Sequence, residues 1–378
     1  MNILVVFGTR PEAIKLFPVI HGLKRTPGLG VRVCITAQHR EMLDQVLTAA
    51  QIEPDYDLNL MQPGQTLPEL TQRLVVSLNR IVERCQPDRV MVQGDTTTAM
   101  AAALTAYYHK VPVDHVEAGL RSGNIYSPWP EEVNRKIIGS IASLHFSPTQ
   151  RAADALIREN VPAAKIVVTG NTVIDALLQM KARLPQFSKE LRTVDARVDA
   201  GGRKIVLVTA HRRENFNGGM QSIAAALRRL AERDDVLVVY PIHRNPNVLE
   251  PMQAILGNHP RIRLLDPLDY VPFIHMLAIC HLVLTDSGGV QEEAPAFGKP
   301  VLVMRDTTER QEGIDSGTAL LVGTDSERIW SETSSLLDDE RRYRAMSRAH
   351  NPYGDGRASR RISEALVREA ERCGSVAA

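Results

Sequence analysis

The stretch NILVVFGTRPEAIKLFPVIHGLK, residues 2–24, decides the fold. Its first six residues are a short apolar run, the pattern of a strand buried on both faces. Gly8 and Thr9 interrupt the run. From Pro11 to Lys24 apolar residues return at helical spacing, and proline suits a first helical turn. Strand, loop and helix in this order form half of a βαβ unit, and the unit recurs along the chain. VRVCIT (31–36), DRVMVQ (88–93), VPVDHV (111–116), LHFSP (144–148) and KIVVTG (165–170) read as further buried parallel strands. Helical patterns follow most of them, as in Thr96–His109. A polar, strand-poor segment, 181–203, interrupts the series. Six more strand-like runs follow: 204–210, 236–241, 261–266, 281–286, 300–304 and 319–323. The class expected is α/β, with two Rossmann-like doubly wound domains facing a central cleft. Residues 1–170 form the first domain and 171–356 the second, with a last helix, about 357–372, packing back on the first.

The 378 residues exceed the size at which single cores stop growing, which agrees with two domains. Forty-five basic and forty-four acidic side chains nearly cancel, which argues against a general nucleic-acid or membrane-surface role. No apolar run is long enough to span a bilayer, and the opening residues lack the pattern of a signal peptide. A cytoplasmic protein is expected. The four cysteines are scattered without a CxxC pair and read as reduced thiols. His39, His115 and His243 are not spaced as a metal cluster, and no dinucleotide fingerprint is present. Neither a metal nor a redox cofactor is expected.

Ligands of doubly wound sheets bind beyond the carboxyl ends of the strands, so the residues following each strand carry the functional signal. In TDSGGVQEEAPAFGKP (285–300) a strand ends at Thr285 and Ser287-Gly288-Gly289 open a helix. Free N–H groups there favour an anion, and Glu293, one turn after Gly289, suits the two hydroxyls of a ribose. The combination suggests a nucleoside diphosphate. The competing reading is a glycine-rich turn beside an exposed glutamate pair. Arg10 and Lys15 after the first strand, and Arg310 in RDTTERQEG (305–313), suit phosphate oxygens. Asp95 in QGDTTTA either caps the following helix or does chemistry. His211, after the strand 204–210, is a candidate proton shuttle or phosphate ligand, or else a buried structural histidine.

The segment HVEAGLRSGNIYSPWPEEVNR (115–135) brings Glu117, Glu131 and Glu132 around a loop stiffened by Pro128 and Pro130. Glu117 would end a strand and Glu131 open the next helix, with Glu132 left as a solvent or capping residue.

Together with GTRPEAIK, TAQHREMLDQ, TGNTVIDAL, TAHRREN and AHNPYGDGRASRRI, these motifs resemble the bacterial non-hydrolysing UDP-N-acetylglucosamine 2-epimerases, in order from Met1 to about Ile362. The resemblance implies the two-domain GT-B fold shared with one class of glycosyltransferases, a homodimer, and interconversion of UDP-GlcNAc and UDP-ManNAc. It implies nucleotide contacts at Arg10, Lys15, Leu268, Phe273, Ser287, Gly288, Gly289, Glu293 and Arg310. It assigns Asp95, Glu117 and Glu131 as catalytic carboxylates and His211 as the active-site histidine. Many members bind a second UDP-GlcNAc as activator. The matching positions are Gln38, His39, Glu41, Gly64, Glu131, Arg212 and His243, where Glu41 and Gly64 replace the Gln and Arg of some relatives.

Overall fold

The computed structural model describes residues 1–37, 40–62, 64–216 and 218–376. The chain divides into two compact units, Met1–Ala176 with Gly354–Ala378, and Leu177–Tyr353. Each is a doubly wound parallel sheet flanked by helices, the α/β class read from the sequence.

The first unit holds β1 (Asn2–Phe7), β2 (Gly30–Ile35), β3 (Tyr56–Asp57), β4 (Arg89–Gln93), β5 (Val113–Val116), β6 (Leu144–Ser147) and β7 (Ile166–Val168). Their order across the sheet is β3-β2-β1-β4-β5-β6-β7. The chain therefore winds outward from β1 in both directions, and β1 against β4 is the switch point where such sheets take ligands. All but β3 fall on apolar runs of the sequence. β3 is a two-residue edge strand paired with Cys34 and Ile35, too short to leave a periodic signal.

The second unit repeats the plan with β8 (Lys204–Thr209), β9 (Val236–Pro241), β10 (Ile262–Leu265), β11 (Leu282–Thr285), β12 (Val301–Val303) and β13 (Ala319–Leu321). The order is β10-β9-β8-β11-β12-β13, with its own switch between β8 and β11. Val206, Val208, Leu282 and Leu284 from the central strands pack with Met220, Ile223 and Leu227 of the helix Gly219–Leu230. The polar segment between the two strand series is helical over Ser188–Val198, with Leu191, Val194 and Val198 buried.

The last helix, Ala358–Val376, packs on Arg10–Lys24 within the first unit. Gly22 makes the approach close, since a Cβ there would lie 3.2 Å from Ser363 Oγ. The buried carboxylate of Asp175 accepts the N–H groups of Ala358 (3.1 Å) and Ser359 (2.9 Å). A side chain some 180 residues upstream thus caps the start of the helix. Among the described residues no helix is long and apolar enough to cross a membrane.

Candidate functional site

In the first unit the sequence-predicted groups collect at the carboxyl ends of β1, β4 and β5. The loop after β1 is held by Glu12, which is buried. Its Oε2 accepts the N–H groups of Gly8 (3.0 Å) and Thr9 (2.8 Å), and its Oε1 accepts the Thr96 hydroxyl (2.7 Å). Thr9 returns the contact as the N-cap of the helix that begins at Arg10. Burial pushes the Glu12 carboxyl upward, against the pull of Thr96, Gly8 and Thr9. One side chain therefore ties the β1 loop, which leads into Arg10, to the β4 loop, which carries Asp95.

Glu117 follows β5 with φ +64°, a left-handed conformation that residues with a Cβ rarely adopt. Its side chain is only 7% exposed. Lys15 Nζ lies 2.5 Å from Oε1, Asn171 Nδ2 donates to the same oxygen at 3.2 Å, and Gln93 Nε2 donates to Oε2. The donors come from the helix after β1, the loop after β7 and the last residue of β4. A carboxylate so fixed has one orientation, and a charged partner stabilises its anion.

Asp95 sits beside it. Burial pushes its carboxyl upward, Arg135 opposes that shift, and Glu117 adds to it. Asp95 is not the helix cap: Thr96 takes that position, with its hydroxyl accepting Ala99 N–H at 3.0 Å. The carboxylate pairs instead with Arg135 at 2.5 Å, and the Asp95 carbonyl accepts Asn134 Nδ2 at 2.9 Å. Both partners lie on Glu131–Ile141, so the helix that opens with Glu131 is docked against Asp95. Glu131 Oε2 is buried and has no hydrogen-bond partner among the described residues.

Glu132 differs from the sequence expectation of a solvent or capping residue. It is 0% exposed and accepts N–H from Ser122 (3.1 Å) and Gly123 (3.2 Å), closing the loop that leads from Glu117 to Glu131. Burial follows because the loop turns its own backbone donors inward and they require an acceptor. The Ser127–Pro128 and Trp129–Pro130 peptide bonds in this loop are both cis.

Behind the site, His115 Nε2 lies 2.7 Å from the Gly94 carbonyl, fixing the turn before Asp95. Burial lowers His115 from 6.5 to about 3, so the folded ring stays neutral while the unfolded one protonates below 6.5. The folded-state value is depressed, so this contribution to stability is present above pH 6.5 and is lost as pH falls toward 3. Thermal melts across that window should show a shallower pH dependence for His115→Gln than for the unaltered chain. Equal slopes would contradict the assignment.

In the second unit the candidates lie beyond the ends of β8, β9, β10, β11 and β12. Ser287 precedes the short helix Gly288–Glu293, and its hydroxyl makes no capping bond. A Cβ at Gly289 would lie 3.7 Å from Glu293 Oε1, so Glu293 does face the glycine turn. Glu292 is not exposed: it is buried and paired with Arg310 Nε at 2.5 Å. At Gly288 a Cβ would come within 2.9 Å of Glu309 Oε1, 3.5 Å of Arg212 Nη2 and 3.7 Å of Arg310 Cζ, so both guanidinium groups lie beside the turn together with a carboxylate. Leu268 and Phe273 are half-buried, in the loop after β10 and on the helix Tyr270–Ile279.

His211 follows β8, and its ring stacks on His243 at 5.6 Å. Burial lowers its protonation range, Asp286 opposes the shift, and His243 and Arg212 reinforce it. Arg212 and His243, assigned by resemblance to the activator, are thus grouped with His211. Glu41 is exposed in the first turn of Arg40–Ala50, and Gly64 is exposed in a loop with φ +71°. Gln38 and His39 lie outside the described residues. Among those described, no three His, Cys, Asp or Glu side chains gather as a metal site.

Sequence reasoning missed the supporting groups: Glu12, Gln93, Asn171, Arg135, Asp286 and Glu292. Each lies within a quoted motif; the Thr9–Glu12 capping box is local, but the other contacts come from neighbours distant in sequence.

Two doubly wound units with ionisable groups gathered at their strand ends are the arrangement of an α/β enzyme. A family model for UDP-N-acetylglucosamine 2-epimerase matches residues 21–367. UDP-N-acetylglucosamine 2-epimerase of Escherichia coli is 54% identical, over 97% of this chain and 98% of its own. That of Bacillus subtilis is 51% identical, over 97% and 95%. The crystal structure of UDP-GlcNAc 2-epimerase from Neisseria meningitidis bound to UDP-GlcNAc is 46% identical, with a TM-score of 0.87 over 97% of this chain and all of that one. The chain belongs to the UDP-N-acetylglucosamine 2-epimerase family and is an epimerase.

Proposed function

We propose that this chain interconverts UDP-GlcNAc and UDP-ManNAc without releasing the sugar, by eliminating UDP to a glycal and adding it back. The observation that carries the reading is the pairing of Glu117, fixed by Lys15, Gln93 and Asn171, with Asp95, whose carboxyl burial pushes upward. A carboxylate fixed by three donors beside a second carboxyl that burial pushes upward suits a reaction that removes one proton and returns another.

The C2–H of a sugar is not acidic, because no adjacent carbonyl stabilises the carbanion. Departure of UDP from C1 leaves positive charge on the ring, and the C2 proton becomes labile. A carboxylate takes that proton and the C1–C2 double bond forms. Protonation of C2 on the opposite face, with return of UDP to C1, gives the epimer. Asp95, Glu117 and Glu131 serve the two faces of C2. Arg10, Lys15, Arg310 and His211, with the N–H groups of Ser287-Gly288-Gly289, hold the diphosphate as it leaves and returns. Glu293 takes the ribose, and Leu268 and Phe273 the base. No redox cofactor or metal enters this route.

The reading extends to a homodimer working in the cytoplasm and supplying UDP-ManNAc to cell-envelope or capsular polysaccharide. A second UDP-GlcNAc as activator would engage Gln38, His39, Glu41, Gly64, Glu131, Arg212 and His243.

Incubation with UDP-GlcNAc alone, followed by assays for free UDP and for UDP-ManNAc, tests the reading. UDP-ManNAc should accumulate to equilibrium while free UDP stays at trace level. UDP released in step with turnover would make the chain a hydrolysing epimerase. Reaction only after an acceptor is added would make it a glycosyltransferase.

A further inference from the structure

The elimination and return of UDP give no part to the carboxylate beside His211. Asp286, directly after β11, is fully buried. Its Oδ2 accepts three donors from the loop after β8: the N–H groups of His211 and Arg212, both at 2.8 Å, and Asn215 Nδ2 at 3.1 Å. Its Oδ1 is buried too, yet accepts no hydrogen bond among the described residues. That oxygen lies 3.8 Å from His211 Nδ1. A buried carboxylate oxygen without a donor is costly, so a chain that keeps one usually supplies the donor in another state of the site. A small rotation of the imidazole would bring Nδ1 within hydrogen-bond range.

We propose that Asp286 is the positioning residue for His211, fixing the 211–215 loop through Oδ2 and receiving Nδ1–H through Oδ1, so that Nε2–H is presented to the departing diphosphate. The proposal rests on the epimerase reading for what His211 faces. The groups facing the ring are Asp286 from the β11 loop, His243 from the β9 loop and Arg212 from its own loop. Only Asp286 favours the imidazolium, and the other two are cationic or become so. The conformation of the loop and the charge of the ring thus depend on one carboxylate.

Asp286→Asn is close to isosteric. Its amide oxygen can still accept the two backbone N–H groups, while its NH2 group replaces Oδ1 and opposes Nδ1–H. Histidine ring titration by NMR, with His211→Gln to assign the resonance, should show the His211 midpoint falling by about one pH unit or more. That amounts to about ten-fold less imidazolium at higher pH. The alkaline limb of kcat should move the same way, and UDP affinity should change by no more than a few-fold. An unchanged midpoint with lower activity would reduce Asp286 to a structural role and overturn the proposal. Should the variant not fold, the ring nitrogen shifts of the unaltered protein decide: the neutral ring should carry its proton on Nδ1, and a proton on Nε2 would overturn it. Neither titration nor tautomer needs turnover, so a failed epimerase reading would show separately, as absence of UDP-ManNAc.

Discussion

Glu117→Gln is expected to lower kcat by about 10³-fold or more while leaving UDP binding within a few-fold of normal. Glutamine has nearly the same shape, so the backbone at φ +64° and the surrounding fold should persist. What disappears is the negative charge that pairs with Lys15 and the ability to accept a proton from carbon. The amide also sets an NH2 group against one of the donors Lys15, Gln93 or Asn171, so part of the cage turns repulsive. A proton-transfer group used in the transition state contributes to kcat, whereas the nucleotide contacts assigned to the second unit do not involve this carboxylate. Steady-state kinetics and calorimetric titration with UDP separate the two quantities. Normal turnover would remove Glu117 from the chemistry, and a parallel loss of UDP affinity would make it a binding residue.

The second large effect concerns Gly119, two residues further along the same loop. Its φ is +94°, and a Cβ there would stand 2.2 Å from the Ala152 carbonyl oxygen and 2.7 Å from its carbon. Both obstacles are backbone atoms, which no rotamer change can move aside. Gly119→Ala therefore combines left-handed strain with direct overlap, and a loss of about 4 kcal/mol or more is expected. For a unit of this size that lowers the melting temperature by roughly 8–16 °C. Gly123→Ala in the same loop provides the comparison. Its φ is +79°, but nothing lies within 4 Å of the added carbon, so only about 1 kcal/mol is expected. Thermal melts of the two variants should differ widely. Equal melting temperatures would mean that the loop does not pack against Ala152 as described.

The strands were legible because they are buried on both faces and stand as short apolar runs between Gly, Pro and Asp. β3 was not, since two paired residues have no period. The helix Ser188–Val198 hid for the opposite reason, burying only Leu191, Val194 and Val198 in a polar sequence. At the site, the rule that function follows strand ends brought Arg10, Asp95, Glu117, His211 and Ser287 to attention. It could not say how they are held. The cap beside Asp95 is Thr96, one residue along, because the helix starts at Thr97 and its N-cap must precede it. Glu131 and Glu132 look alike in sequence, yet the start of their helix buries the second beneath its own loop and leaves an oxygen of the first unpaired. Asp286 and Glu12 read as ordinary polar loop and helix residues. The donors to Asp286 come from the loop of another strand, and Thr96 reaches Glu12 from the β4 loop, which sequence order does not reveal; only the Thr9–Glu12 capping box is local.

In the proposed reaction the C2 proton is lost to the enzyme and replaced from the other face. Incubation with UDP-GlcNAc in heavy water, followed by proton NMR of the recovered nucleotide sugars, tests it most directly. UDP-ManNAc with deuterium at C2 is expected from the first turnovers, with no stoichiometric free UDP. UDP-ManNAc that retains protium at C2 would contradict it.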